Sequence, residues 1–240
     1  MAESLIVEQI DSVVVITVAR EHRRNALDNA TLLALRDALN DVAGRDEIAA
    51  VVLAGAGLKA FSAGSDLKEM ASQSPAGRLA HTALGQQVFD QIEELPCATI
   101  AAVEGFCLGG GLEMALVCDL RVAGEGSTFG MPEVQVNALP TWGGTYRLPR
   151  LLGLPRAKQL LLFGRRLTAA EALEWGLIAE VVPQGAARDR ALEIGRSLAG
   201  LNRRTFARAK ALINAGQSVH PRVARHLEYL ADDAQLAAEE

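Results

Sequence analysis

Three consecutive glycines at positions 109–111 constrain the fold of this chain more than any other feature. They follow an apolar run at 98–103 and precede an apolar segment at 112–117, which carries one carboxylate, Glu113. Because glycine has no Cβ, the backbone there can turn tightly and approach a ligand closely. The pattern predicts a buried strand, a glycine turn and a helix whose first N–H groups could bind an oxygen that becomes negative.

A second segment of the same character lies earlier in the chain. The loop 61–67 reads Phe-Ser-Ala-Gly-Ser-Asp-Leu and follows the apolar run 51–54. Two strand-to-helix turns could therefore each supply one N–H to a shared oxygen, as acyl and enolate chemistry requires.

Strand and helix patterns alternate along the first two-thirds of the chain. Residues 5–10 and 13–18 are predicted to form a hairpin, and helices at 31–42 and 80–95 separate buried strands at 48–54 and 98–103. Beyond a strand at 178–182 only helices are expected, at 186–198, 204–214 and 222–236. We predict an α/β fold with a soft boundary: a core of residues 1–183 and a helical C-terminal region of residues 184–240 that packs on its own core or on a neighbouring subunit.

The composition favours a globular protein that folds without disulfides. Half of the 240 residues are hydrophobic, and the net charge of -5 argues against a nucleic-acid partner. The three cysteines lack metal-ligand spacing, as expected for reduced thiols. The first residues show no basic stretch followed by an apolar one, and no apolar run reaches about 18 residues, so we expect a cytoplasmic protein with no membrane partner.

Two carboxylates are candidates for acid and base chemistry. Glu113 could simply favour the helix N-terminus, where an acidic residue suits the dipole, and Glu133, in the apolar turn 129–133, could be an ordinary turn residue. However, the helix around Glu113 is apolar on every side, so its carboxylate would be costly unless it is used. Near an oxyanion site, burial and like charge would raise the pKa of such a pair.

Taken together, the motifs resemble the enoyl-CoA hydratase/isomerase (crotonase) superfamily over most of the chain. The matching segments follow the family order: Asn-Ala-Leu at 25–27, the loop 63–67, the glycine run 105–113, Phe-Gly-Met-Pro-Glu at 129–133, Gly-Gly-Thr-Tyr-Arg-Leu at 143–148, and the stretches 169–172 and 175–178. The resemblance implies a crotonase-like spiral of ββα units with a helical C-terminal region that forms a homotrimer or a dimer of trimers.

The same resemblance implies roles for individual residues. The N–H groups of Ala63 and Gly110 would hold the thioester oxygen of an acyl-CoA, Glu113 would act as the principal base and Glu133 as the principal acid. Coenzyme A would be part of the substrate, with no tightly bound cofactor and no metal. Further contacts to the substrate are expected from Ala63, Asp66, Leu67, Gly109, Gly110, Thr141, Trp142 and Arg24.

Several of these residues also have an ordinary structural interpretation. Asp66 could cap the helix after its loop. Arg24, like Arg20, Arg23 and Lys59, could bind CoA phosphates or belong to a solvated surface.

Histidine and serine chemistry is not indicated by the sequence. His22, His81, His220 and His226 match no triad or metal spacing. Ser62 and Ser65 do not lie in a Gly-x-Ser-x-Gly elbow, which argues against an α/β-hydrolase.

Two features depart from the family pattern. Hydratases usually carry Pro-Gly before the paired glycines, whereas this chain has Thr141 and Trp142 after Pro140; the Thr141 N–H can still donate, but the two side chains add bulk near the acyl pocket. The sequence also ends at Ala238-Glu239-Glu240, before the family's usual last segment, so a more open site or a compensating contact is expected.

The predicted function is the addition of water to a 2-enoyl-CoA, giving a 3-hydroxyacyl-CoA. Within enzymes the alternative is isomerisation, hydrolysis or another acyl-CoA reaction through the same enolate. A non-catalytic acyl-CoA binder is the alternative from another class, and the pair of carboxylates argues against it.

Overall fold

The computed structural model of the chain describes residues 4–236, so the prediction based on residues 238–240 lies outside the described range. In this range ten strands form two sheets: β1 (Leu5–Ile10), β2 (Val13–Val18), β3 (Ala50–Gly55), β4 (Ala60–Ser62), β5 (Ala98–Val103), β6 (Phe106–Leu108), β7 (Leu120–Gly124), β8 (Thr128–Gly130), β9 (Arg166–Thr168) and β10 (Glu180–Val182).

The described part of the chain also forms ten α-helices around these sheets: α1 (Asn29–Ala43), α2 (Leu67–Ser72), α3 (Pro75–Glu94), α4 (Gly110–Leu116), α5 (Gly144–Leu152), α6 (Leu154–Leu161), α7 (Ala169–Trp175), α8 (Ala187–Ser197), α9 (Arg203–Gly216) and α10 (Pro221–Leu236). Two short 3-10 helices cover Glu21–Arg23 and Glu133–Val136. Within residues 4–236, no helix is both long and apolar enough to cross a membrane.

The larger sheet has the strand order β1-β2-β3-β5-β7-β10. The predicted hairpin is confirmed, with Leu5 opposite Val18, and every other pair in this sheet is parallel. Strand β5 is buried along its whole length and β3 up to its last residue, which explains why both read as continuous apolar runs rather than as alternating patterns. The predicted α/β class is confirmed.

Alternate residues of these strands build two apolar clusters, one on each face of the sheet. Val51 and Leu53 contribute to the first, which α1, α3 and α4 cover, and Val52 contributes to the second. Helix α8 supplies Ala191 and Leu192 to the second cluster. This period of two places the strand side chains on opposite faces, as pleated geometry requires.

The smaller sheet, in the order β4-β6-β8-β9, sets the position of the loops that matter for function. Its first three strands are parallel neighbours, and each follows a strand of the larger sheet. Because the carboxyl ends of parallel strands meet at one edge, the segments that begin at Ala63, Gly109 and Met131 are brought together there. The repeated strand, strand and helical unit is the predicted ββα spiral.

The C-terminal helices differ in how they meet the rest of the chain. The N-terminus of α8 is capped by Glu104, whose Oε1 accepts the N–H groups of Gly185 and Ala187 at 2.9 and 3.1 Å. Helix α9 is anchored by Lys210, whereas α10 packs on α9 and contains no buried residue. The boundary near residue 183 stays a prediction.

Candidate active site

The loops after β4 and β6 touch each other at two glycines. A Cβ placed on Gly64, which has a φ of +89°, would lie 2.8 Å from the amide nitrogen of Gly110. Such a contact is too close for any side chain, so the loop requires glycine at position 64. The approach brings the backbone of the first loop to the N-terminus of α4.

Gly110 is the first residue of α4, and its N–H has no hydrogen-bond acceptor within residues 4–236. Free N–H groups are expected at this position, because the first turn of a helix has no intrahelical acceptors. The helix dipole adds positive potential at the same point. The Gly110 amide is thus an available donor at the helix N-terminus, and its role toward a developing oxyanion stays a prediction.

The second predicted donor, Ala63, is corrected by the structure. Its N–H donates to the carbonyl oxygen of Arg24 at 3.0 Å and is therefore engaged in holding the loop. The N–H groups of Gly64 and Asp66 also have acceptors, Ser62 Oγ and the carbonyl of Leu27. The Ser65 N–H has none in the described part of the chain, which makes Ser65 the available donor of this loop.

The sequence did not point to Ser65 as a donor, because residue types do not show which main-chain N–H groups lack a hydrogen-bond acceptor. The decisive feature is the bridge between Leu27 and Ser65, which occupies the neighbouring amide and carbonyl groups. That bridge joins segments far apart in sequence, so no local pattern shows it.

Glu113 lies in the first turn of α4 and is 2% exposed. Its Oε1 accepts two hydrogen bonds of 2.8 Å, from the N–H groups of Trp142 and Gly144. The carboxylate therefore does not cap its own helix by a hydrogen bond, although it lies in the first turn, where the dipole favours an acidic residue. Burial raises the pKa of Glu113, and the two amides and the charge of Arg147 offset part of that rise.

Glu133 opens the 3-10 helix that follows β8, and it faces the glycine turn. A Cβ on Gly109 would lie 2.8 Å from its Oε1, and its Oε2 is buried without a hydrogen-bond partner in the described residues. Burial, with a contribution from the negative charge of Glu113, raises the pKa of Glu133 to about 7. A carboxyl group with this pKa can hold or release a proton near neutral pH, as a general acid or base must.

Trp142 is buried beside these groups. Its indole lies between α3 and the start of α4, so that a Cβ on Gly85 or on Gly110 would lie 2.2 or 2.5 Å from ring atoms. The ring also contacts Phe89 and His81, each with a centroid separation of 5.2 Å. Thr141, by contrast, is exposed, and its carbonyl accepts from Gln86.

The remaining predicted contact residues lie around the first loop. Asp66 caps α2, accepting from the amides of Lys68 and Glu69, and pairs with Arg20 at 3.0 Å. Burial opposes its ionisation, but these hydrogen bonds lower the pKa of Asp66. Leu67 is exposed, and the Arg24 guanidinium lies over the ring of Phe106.

A cavity of about 490 Å³ lies elsewhere, between α4, α5 and α9, where Leu116, Arg147 and Lys210 contribute to its wall. Neither Glu113 nor Glu133 lines it. In the described part of the chain, no group of three or more histidine, cysteine, aspartate or glutamate side chains is arranged to hold a metal ion.

Comparisons with known proteins agree with this arrangement. Residues 8–235 match the family model described as enoyl-CoA hydratase/isomerase. The chain is 38% identical to a short-chain-enoyl-CoA hydratase of Clostridium acetobutylicum, covering 89% of this chain and 82% of that protein. It is 41% identical to a crotonyl-CoA hydratase of Syntrophomonas wolfei over 75% of this chain and 69% of the relative.

A solved structure gives the same result for the fold. An enoyl-CoA hydratase from Bacillus anthracis superposes with a TM-score of 0.93 at 36% identity, covering 96% of this chain and 90% of that one.

Proposed function

The chain belongs to the enoyl-CoA hydratase/isomerase family, and from this premise we propose that it adds water across the 2,3 double bond of a 2-enoyl-CoA to give a 3-hydroxyacyl-CoA. One observation carries the proposal: two carboxyl groups with raised pKa values flank a glycine turn, and the first helical N–H of that turn has no acceptor among the residues that the structure describes. This arrangement can stabilise an enolate and move protons beside it.

The thioester oxygen would accept hydrogen bonds from the N–H groups of Ser65 and Gly110. As water attacks the β-carbon, electron density moves from the double bond to this oxygen, and the two amides stabilise the negative charge. The α4 dipole acts in the same direction, because its positive end points at the oxygen.

Glu113 and Glu133 would divide the proton transfers. Ionised Glu113 takes a proton from water while the water oxygen bonds to the β-carbon, and protonated Glu133 gives a proton to the α-carbon. The hydrogen bonds from Trp142 and Gly144 favour the ionised form of Glu113, whereas the unpartnered Oε2 of Glu133 favours its protonated form. Because the two groups are coupled, the pair shares the macroscopic pKa values.

Coenzyme A would enter as part of the substrate, and the reaction needs no further cofactor, since addition of water transfers no electrons. Leu67 and Arg24 would border the nucleotide portion: one offers an exposed apolar surface and the other a cation for a phosphate. Asp66 would contribute by fixing the loop through its cap and its ion pair with Arg20.

The acyl group is proposed to be short. The Trp142 indole fills the space next to Gly110, one of the two proposed oxyanion donors, and so reduces the room beside the thioester. The relatives named for short-chain and crotonyl substrates are consistent with this proposal.

We also propose a homotrimer or a dimer of trimers that acts in the cytoplasm. Helix α10 has no buried residue and exposes Val223, Tyr229 and Leu230, an apolar surface typical of a subunit interface. The three cysteines are buried free thiols, which suits a reducing compartment.

The experiment is hydration of crotonyl-CoA by the wild type and by Glu113→Gln and Glu133→Gln, with Glu174→Gln as the control for an exposed glutamate. Loss of a general acid or base should lower kcat at least about 10²-fold in both site variants and leave the control unchanged. Full activity in either site variant would contradict the proposal. Movement of the double bond without uptake of labelled water would identify an isomerase instead.

A further inference from the structure

Three side chains beside the first loop form a continuous hydrogen-bonded chain. Ser65 Oγ lies 2.7 Å from Nε2 of His81, and Nδ1 of the same ring lies 2.7 Å from Oδ1 of Asn29. The three residues come from the loop after β4, from α3 and from the first position of α1. A hydroxyl, an imidazole and a side-chain amide in this order are the groups of a nucleophile, a base and the residue that orients the base.

The donor inventory fixes the direction of this chain. Oδ1 of Asn29 can only accept, so the ring hydrogen of His81 lies on Nδ1. Nε2 is then the acceptor, and the Ser65 hydroxyl donates to it. This is the tautomer in which an imidazole can take a proton from a hydroxyl.

His81 is 2% exposed, and its ring lies against the indole of Trp142 at a tilt of 52°. Burial lowers the pKa of His81, although the carboxylates of Glu69, Asp28 and Asp66 act in the opposite direction. Arg20 pairs with Asp28 and Asp66 and so reduces their effect. The imidazole is therefore neutral near pH 7, which is the form that can act as a base.

Ser65 also carries the free main-chain N–H described above. In serine hydrolases the N–H of the nucleophile itself is one of the donors that stabilise the tetrahedral oxyanion. At Ser65 the hydroxyl held by His81 and the free amide belong to one residue, in a loop that touches the N-terminus of α4. A nucleophile and an oxyanion site are thus placed side by side.

We propose that Ser65, His81 and Asn29 form a nucleophilic site that hydrolyses the thioester bond of an acyl-CoA, an activity additional to hydration that rests on the proposed acyl-CoA site. Ser65 Oγ attacks the thioester carbon while His81 Nε2 takes its proton. The carbon-sulfur bond breaks, and CoA leaves with the proton from His81. His81 then takes a proton from a water molecule whose oxygen bonds to the acyl carbon. The bond between that carbon and Ser65 Oγ breaks, His81 returns the proton to Oγ, and the acyl group leaves as a carboxylic acid.

The activity is tested with butyryl-CoA, which has no double bond and so cannot be hydrated. We expect the wild type to release CoA thiol and to carry a butyryl adduct on the peptide that contains Ser65, trapped by acid quench in the wild type or as a longer-lived thioester in Ser65→Cys. Ser65→Ala and His81→Gln should lower thiol release at least about 10²-fold. The control Ser218→Ala, at an exposed serine, should keep it.

The outcomes separate this proposal from the proposed hydratase. No thiol release by the wild type, equal release by Ser65→Ala, or no adduct would overturn the hydrolytic site, whatever the rate with crotonyl-CoA. Ser65-dependent thiol release without crotonyl-CoA hydration would instead support the hydrolytic site and reject the hydratase.

Asn29 is a positioning residue, and its test needs a readout that a structural role would not change. Asn29→Asp places a carboxylate against His81, which should raise the pKa of the imidazole. The low-pH limb of thiol release from butyryl-CoA should therefore move to higher pH. A limb that stays in place while thiol release remains dependent on Ser65 would contradict the role of Asn29.

Discussion

The carboxylate of Glu133 lies directly over the Cα of Gly109. A methyl group on that Cα would lie 2.8 Å from Oε1, and the residue has φ and ψ of 54° and -127°. The N–H of Gly109 donates to the carbonyl of Gly130 at 2.9 Å. The turn that opens α4 and the segment that carries the second carboxylate are therefore fixed against each other by a contact that requires glycine.

We predict that Gly109→Ala lowers both activity and stability. The new methyl group must displace Glu133, and alanine rarely adopts the backbone conformation of this turn, so the free energy of unfolding should fall by about 1–3 kcal/mol. The kcat for crotonyl-CoA should fall at least about 10-fold, because the acid would no longer meet the substrate correctly. Urea unfolding and steady-state kinetics measure the two effects.

Gly200→Ala is the matched control, since a Cβ at position 200 would meet no atom within 4 Å. It should change stability by no more than about 0.5 kcal/mol. Equal losses in the two variants would show that the contact between Gly109 and Glu133 has no special importance.

The raised pKa of Glu133 predicts how stability depends on pH. In the folded protein the pKa of Glu133 is about 7, above the ordinary glutamate value of 4.5. The stabilisation that protonated Glu133 gives to the folded protein is therefore fully present below pH 4.5 and is lost as pH rises through 7. Glu133→Gln cannot lose a proton, so relative to wild type it should gain on the order of 2 kcal/mol between about pH 5 and pH 8.

Denaturant unfolding of both proteins at these two pH values measures the difference. Glu174→Gln, which changes an exposed glutamate, should show a constant difference from wild type across the same range. A constant difference for Glu133→Gln would contradict the raised pKa.

The sequence predicts the larger sheet well because its signals are local. Strands β1, β2 and β5 have the bounds that their apolar patterns indicate. Strands β4, β6 and β9 were not predicted, since three residues are too few to show a period of two. These short strands nevertheless decide which loops meet.

The same distinction applies to the site. The glycine run locates Gly110 and Glu113, because the turn, the helix start and the carboxylate are neighbours in sequence. The identity of the second free amide depends on a bridge to Leu27, and the partners of His81 come from two other elements. Neither Ser65 nor His81 could be assigned from spacing.

Trp142 is predicted to contribute to the stability of the fold and to limit the length of the acyl chain that the site accepts. Trp142→Ala should destabilise the protein by about 3–5 kcal/mol, because it leaves a cavity between Gly85 and Gly110. The ratio of kcat/KM for octenoyl-CoA to that for crotonyl-CoA should rise, as the cavity adds room beside the thioester. Trp175→Ala, at a tryptophan outside the site, should leave this ratio unchanged.

Trp142→Phe separates the volume of the indole from its N–H. The Nε1 atom is buried without a partner in the described residues, so its removal relieves an unsatisfied donor while most of the ring remains. This variant should keep the preference for crotonyl-CoA. If the ratio for octenoyl-CoA to crotonyl-CoA stayed at the wild-type value in Trp142→Ala as well as in Trp142→Phe, the indole would lie outside the acyl path.

Lys210 is predicted to hold α9 on the core. Its Nζ lies 2.8 Å from Oδ2 of Asp119 and 3.2 Å from the carbonyl of Cys97, and the residue is 8% exposed. Lys210→Met leaves Asp119 without its cation and should cost about 3 kcal/mol, the lower end for a broken buried pair, since Asp119 is partly exposed. Faster hydrogen exchange at residues 203–216 should accompany the loss, because α9 would open locally before the core.

Lys158→Met, at an exposed lysine of α6, should stay within about 0.5 kcal/mol of wild type. If Lys210→Met and Lys158→Met were equally stable, the apolar packing of the new methionine would have to offset the lost ion pair with Asp119. Lys210→Ala adds no such packing, so it would then show the larger loss.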